Sequence, residues 1–230
     1  MAMSFPRPLV LLKQFPLTIT LLVLMLACNV AANTVTELLR PAWQNLFGFA
    51  PADLWTGDWY PLFSSLLLTT GRFSFYISFV MLAVCVGFTE RRCGTLRTLL
   101  TFLGVHVVTL LMLSILVAWP LVQLEFERGQ LLFDTNDVGP SAGYYGCLGL
   151  LVMASGWRGR KTVFLGILLL LLVRASWTWI EIPDQAERLT ADVAHLIAFP
   201  LGALSFWLFP GKRKLGQQNA FPVRVTGQQN

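Results

Sequence analysis

Apolar residues gather along this chain in six long runs separated by polar stretches. A membrane-spanning helix needs about 20 mostly apolar residues. The runs therefore predict spanning helices over residues 15–32, 61–88, 98–118, 139–155, 162–180 and 191–209. The fourth is short and rich in glycine, and the basic "PGKRK" stops the sixth. The first lacks the small-residue pattern of a removed signal peptide and is expected to stay as a helix. The predicted architecture is all-α: a six-helix membrane domain over 15–210, a short cytoplasmic segment over 1–14, and a flexible basic tail over 211–230. Between the first two runs, "VTELLRPAWQNLFGF" mixes charges with Leu, Trp and Phe. That mixture predicts a segment lying in the outer interface, with Trp55, Trp59 and Tyr60 at headgroup depth.

Charge orients the six runs. Arg7, Lys13, Arg91, Arg92, Arg97, Arg158, Arg160, Lys161, Lys212, Arg213, Lys214 and Arg224, 12 of the 17 basic residues, fall on one side with a single acid, Glu90. The other acids, Glu37, Asp53, Asp58, Glu125, Glu127, Asp134, Asp137, Glu181, Asp184, Glu187 and Asp192, all fall opposite. Positive residues stay inside, so both termini are expected in the cytoplasm. Compact loops and a short tail point to a bacterial inner membrane. A chain that is 55% hydrophobic and 13% charged, with mean hydropathy +0.64, is not an ordinary soluble domain. The net charge of +5 needs no nucleic-acid partner, because the charges segregate by loop. Cys28, Cys85, Cys93 and Cys147 have no metal-like spacing and read as small core residues.

Few side chains inside the runs titrate. Ser141 lies near the outer end of the fourth run, in "NDVGPSAGYYGCLG", and His195 near the outer end of the sixth, in "TADVAHLIAFPLGAL". At the rise of a helix, both lie roughly 3 to 6 Å below the outer helix ends. A nucleophilic serine needs a base within hydrogen-bond reach, and neutral imidazole is the usual one. Gly139, Gly143, Gly146 and Cys147 form a small-residue face on the fourth run; Ala194, Ala198 and Gly202 form another on the sixth. Such faces let membrane helices approach closely. Tyr145, one turn after Ser141, is placed to stack under the imidazole. Serine is also a common packing residue in membrane helices, so Ser141 is either nucleophile or filler. His106, nearer the basic end with no serine at its depth, reads as a hydrogen-bonded packing residue, and Arg174 as a structural pair or a snorkelling side chain.

These residues resemble the rhomboid intramembrane serine proteases over nearly the whole six-helix body. "GPSAGYYG", residues 139–146, is similar to the family's GxSG stretch, with Ala142 at its second glycine. "AHLIAFPLG", residues 194–202, is similar to the segment of the catalytic histidine, with Ala198 at a usual glycine. "GFTERRCGTLRTLLTF", residues 87–102, resembles the Glu-Arg link between the second and third helices. "DWYPLFSSLLL", residues 58–68, resembles the entry to the second helix, with Pro61 at a common arginine position. The resemblance implies a Ser–His dyad without an aspartate: Ser141 as nucleophile, His195 as base and then acid, Tyr145 stacking, and Gly139 and Gly143 supporting. It implies transmembrane-helix substrates cut near the outer face after lateral entry, and no cofactor or metal.

The family's oxyanion histidine and asparagine fall on Ser74 and Ser78, and a further family histidine on Thr69. Ser74 and Ser78 form a modified oxyanion site, or they pack on the fourth helix. Thr69, Thr70, Ser74 and Ser78, with Ser141 and His195, are expected to hold water at one depth. The alternative function is an inactive rhomboid-like protein that binds transmembrane clients. A transporter is disfavoured, because the runs carry no paired acids along a pathway and no two-half repeat.

Overall fold

The computed structural model describes residues 14–181 and 186–208, with side chains at 181, 186 and 187 left aside. The basic positions Arg7, Lys13, Lys212, Arg213, Lys214 and Arg224, the acids Asp184 and Glu187, and the predicted tail over 211–230 lie outside what is described. In chain order come α1 (Pro16–Ala31), α2 (Pro41–Phe47), α3 (Asp53–Thr56), α4 (Pro61–Ser64), a 3-10 turn (Ser65–Leu67) and α5 (Phe73–Cys93). Then follow α6 (Thr95–Met112), a π turn (Leu113–Ala118), α7 (Trp119–Gln123), α8 (Glu127–Asp134), α9 (Ser141–Ala154), α10 (Arg160–Glu181) and α11 (Ala186–Leu208). Among the described residues there is no strand, only the isolated bridges Leu38–Gly71 and Phe49–Asp137.

Four stretches are long and apolar enough to cross a bilayer: Phe73–Cys93, Thr95–Gln123, Arg160–Ile180 and Arg188–Leu208. The apolar helices α1 and α9 are shorter, at 16 and 14 residues, and are compatible with a six-helix bundle. The long Thr95–Gln123 stretch runs unbroken through its π turn. Pro120 has no N–H for a helical bond, and a widened turn ahead of it absorbs the fault.

The second expected span, 61–88, is corrected. The chain breaks over 68–72 and the spanning helix begins at Phe73. The outer loop captures this break as a strand-like pair: Leu39 N–H donates to the Thr70 carbonyl (3.1 Å) and Arg72 N–H to the Thr34 carbonyl (2.8 Å). Gly71 and Arg72 take positive φ, 95° and 51°, and a Cβ on Gly71 would collide with the Glu37 carbonyl. Asn29, fully buried at the end of α1, completes the clasp. Its Nδ2 donates to the Leu67 carbonyl (3.0 Å), and its Oδ1 accepts from the Thr69 N–H (3.1 Å) and the hydroxyls of Thr69 and Thr34 (both 2.7 Å). Trp55, Trp59 and Tyr60 of the loop before α5 are exposed.

At the basic end, side chains close the helix termini. Glu90, 2% exposed, accepts from the N–H groups of Leu17 and Thr18 (both 2.9 Å) and from the hydroxyls of Thr18 (2.7 Å) and Thr95 (2.9 Å). A carboxylate there satisfies orphan donors of α1 and meets the positive end of its dipole. Arg92 donates to the carbonyls of Ala154 and Ser155 (both 2.6 Å) and Arg160 to that of Met153 (3.0 Å), all at the C-terminus of α9. Arg97 donates to the Phe206 carbonyl near the end of α11 (2.8 Å). The arginines that sort by topology thus also cap the two helices that matter most below.

Replacing Glu90 by Ala strands two N–H groups and two hydroxyls in an apolar setting. We expect a loss of about 2–4 kcal/mol, read as a lower unfolding midpoint in detergent. A midpoint equal to the parent's would mean that α1 is held by packing alone.

Candidate active site

The centre of the bundle is α9, which packs against α11, α5 and α6, while α10 lies at the periphery against α11. Glycines decide how closely these helices meet. A Cβ on Gly202 would collide with the Gly146 carbonyl, and one on Gly149 with the Phe199 carbonyl. The crossing of α9 and α11 is therefore backbone on backbone. Gly143 and Gly146 present their own Cβ positions to α6 instead, where added carbons would lie 2.6 Å from the Phe102 ring and 2.7 Å from Val105. The single small-residue face expected for the fourth helix is corrected on this point. Its glycines serve two neighbours, because consecutive small positions point in different directions around the axis. Gly149, which also meets α11 backbone on backbone, is not among the expected positions.

This crossing brings the predicted residues to one cavity of about 710 Å³. Ser141 is the first residue of α9 and stands on the cavity wall, half-buried, at the positive end of that helix. Gly139 precedes it with φ 150°, its N–H donating to the Ser65 carbonyl (2.8 Å), and so turns the chain into the helix. His195 projects from α11 into the same cavity and is 6% exposed. The Tyr145 ring stacks on its imidazole, with centroids 4.3 Å apart and planes 29° from parallel. Among the described residues neither ring nitrogen of His195 has a hydrogen-bond partner. Ser141 and His195 thus share a wall without a hydrogen bond between them, a common state of unliganded catalytic groups.

Ser74 and Ser78 of α5 line this cavity too, with Ser78 beside the Tyr144 hydroxyl. Thr70 joins them. Thr69 does not: it is buried on Asn29, so its expected part in the water-holding cluster is corrected. His106 is buried elsewhere, its Nε2 3.1 Å from the Leu62 carbonyl. Arg174 pairs with Asp192, Nε to Oδ1 2.6 Å, and lines the cavity with Arg188. Asp192 is 1% exposed, and its Oδ1 is 3.8 Å from His195 Nδ1. By loop charge alone Asp192 is an outer acid; its place one turn before His195 is the signal in the sequence. All four cysteines are free thiols, and among the described residues no three His, Cys, Asp or Glu side chains gather as a metal set.

A polytopic helical membrane protein whose central glycine-rich helix opens on a half-buried serine facing a ring-stacked histidine is a narrow class. A family model described as the Rhomboid domain matches residues 56–212, more than half of the chain and all of the cavity wall from α5 to α11. The chain belongs to the rhomboid family. No curated protein and no solved structure matches it.

Gly202→Val should force α9 and α11 apart and lower stability by about 1–3 kcal/mol, with cavity function lost. Gly104→Ala and Gly166→Ala meet nothing within 4 Å and serve as controls. They should melt at or above the parental temperature, since glycine is a poor helix former. Equal melting of Gly202→Val and the parent would remove the close crossing as a determinant of the site.

Proposed function

We propose that this protein is an intramembrane serine protease that cuts transmembrane helices near the outer membrane face. The observation that carries the reading is the convergence of Ser141, at a helix N-terminus, and Tyr145-stacked His195 on one cavity wall. Family membership supports it, since rhomboids are in general intramembrane serine proteases. Ser141 Oγ gives its proton to His195 Nε2 and attacks the scissile carbonyl carbon. The resulting oxyanion is held by the N–H of Ser141 and by the hydroxyls of Ser74 and Ser78. His195 then passes the proton to the leaving amine, and a water repeats the two transfers to free the acyl group. Substrates enter sideways past Phe73 and Ile77, the exposed α5 side chains on the cavity rim. The sorting of charge supports cytoplasmic termini, and the compact loops support a bacterial inner membrane.

A second reading is an inactive family member that binds transmembrane clients. It is favoured by Ser74 and Ser78 standing where the family has histidine and asparagine. Losing one oxyanion donor lowers the rate of a serine protease by about 10²–10³, and hydroxyls are modest substitutes.

A fluorophosphonate probe separates the two without a known substrate. We expect an adduct on Ser141, found by mass spectrometry, that disappears in His195→Ala. A folded parent that stays unlabelled while an active rhomboid labels alongside would favour the binder. On a transmembrane reporter, Ser141→Ala should abolish cleavage while keeping the parental melting temperature, and parental cleavage by that variant would refute the dyad. Ser74→Ala and Ser78→Ala should each slow cleavage about 10-fold or more; unchanged rates return them to packing.

A further inference from the structure

We propose that Asp192 is a positioning residue for His195, holding its Nδ1–H so that Nε2 faces Ser141; this rests on the protease reading above. Two buried groups carry the inference. The carboxylate of Asp192 is 1% exposed and lies against the Arg174 guanidinium, Nε to Oδ1 2.6 Å, and the Thr178 side chain. The imidazole of His195, one turn on, has both nitrogens without partners among the described residues. Buried polar groups are rarely left so. The two lie 3.8 Å apart, Oδ1 to Nδ1, on one helix face. A ring rotation that shortens this gap by about 1 Å makes a charge-assisted hydrogen bond within the normal range.

The arrangement has chemical consequences. A neutral imidazole has two tautomers, and only the one protonated on Nδ1 can take the serine proton on Nε2. A carboxylate at Nδ1 selects that tautomer and stabilises the cation formed when the proton arrives. Stacking on Tyr145 fixes the ring plane but is blind to the tautomer. Charge balance points the same way. The charged or titratable groups around the ring are Tyr145 from α9, Arg174 from α10, and Arg188 and Asp192 from α11. Two of these are cations beside a ring that must become cationic, and Asp192 is the anion that offsets them. The Arg174 guanidinium lies against the same Oδ1, so the ion pair and the approach to His195 share one oxygen.

The test removes the charge of Asp192 and keeps its shape. Asp192→Asn is prepared in the full chain and checked for parental melting and monodispersity. With labelled histidine, the ¹⁵N spectrum of a chain with two histidines reports the His195 tautomer, assigned with His195→Ala. We expect Nδ1–H in the parent and loss of that preference in Asp192→Asn. On a transmembrane reporter, kcat of Asp192→Asn should fall about 10–10²-fold with KM changed less than about threefold. An unchanged His195 spectrum in Asp192→Asn, or a parental kcat there, would overturn the proposal. Should Asp192→Asn not fold, Asp192→Glu carries the same test, because its longer arm moves the carboxylate off Nδ1, and an unchanged spectrum there also overturns it. The spectrum needs no turnover. A parent that neither cleaves nor labels refutes the protease reading, and the tautomer result still decides whether Asp192 sets the ring.

Discussion

The contact on which the molecule depends is the crossing of α9 and α11 at Gly146, Gly149 and Gly202. No side chain fits between these backbones, since even a methyl group would strike a carbonyl. In a bilayer there is little hydrophobic drive between helices, so close van der Waals contact of this kind is a main source of association. The crossing also sets the geometry of the cavity. Ser141 begins one of the two helices and His195 projects from the other, so their separation follows from where the glycines meet. Tyr145, one turn beyond Ser141, reaches His195 only because nothing bulky holds the helices apart.

That crossing is braced from the basic end. Arg92 and Arg160 close the C-terminus of α9, and Arg97 closes that of α11. Each satisfies carbonyls that have no helical partner and adds charge where the dipole favours it. Glu90 does the converse for the N-terminus of α1. Basic residues gather at this end, and the fold uses several of them as caps. The opposite end is built differently. There the chain dips in and out over 61–72, tied by Asn29 and by strand-like bonds to the outer loop, and leaves the polar cavity open above the apolar core.

The polar groups at that depth divide into two sets. Thr34 and Thr69 are consumed by Asn29 and hold the outer loop down. Thr70, Ser74, Ser78, Ser141 and His195 face the cavity, with Asp192 and Arg174 behind the imidazole. Hydroxyls of similar type and similar sequence position thus turn to the clasp or to the cavity according to their direction about a helix or turn.

The sequence by itself determined the class of molecule, the number of apolar runs, the sorting of charge and the pairing of Ser141 with His195 by depth. These are sums over a segment: apolar length, net loop charge and distance from a helix end all follow from counting along the chain. The expected packing role of His106 agrees with its place, buried with Nε2 3.1 Å from the Leu62 carbonyl. The tertiary structure alone decided direction. Whether Gly143 faced α11 or α6, whether Thr69 turned to the cavity or to Asn29, where the second helix broke, and whether Glu90 was a loop charge or a buried cap all depended on which neighbour stood at each azimuth. So did the approach of Asp192 to His195. Their spacing is visible one turn apart, but the meeting of that carboxylate with Arg174 on a third helix and with the ring is not. Periodicity gives the face a residue shares; it does not give the partner that face will meet.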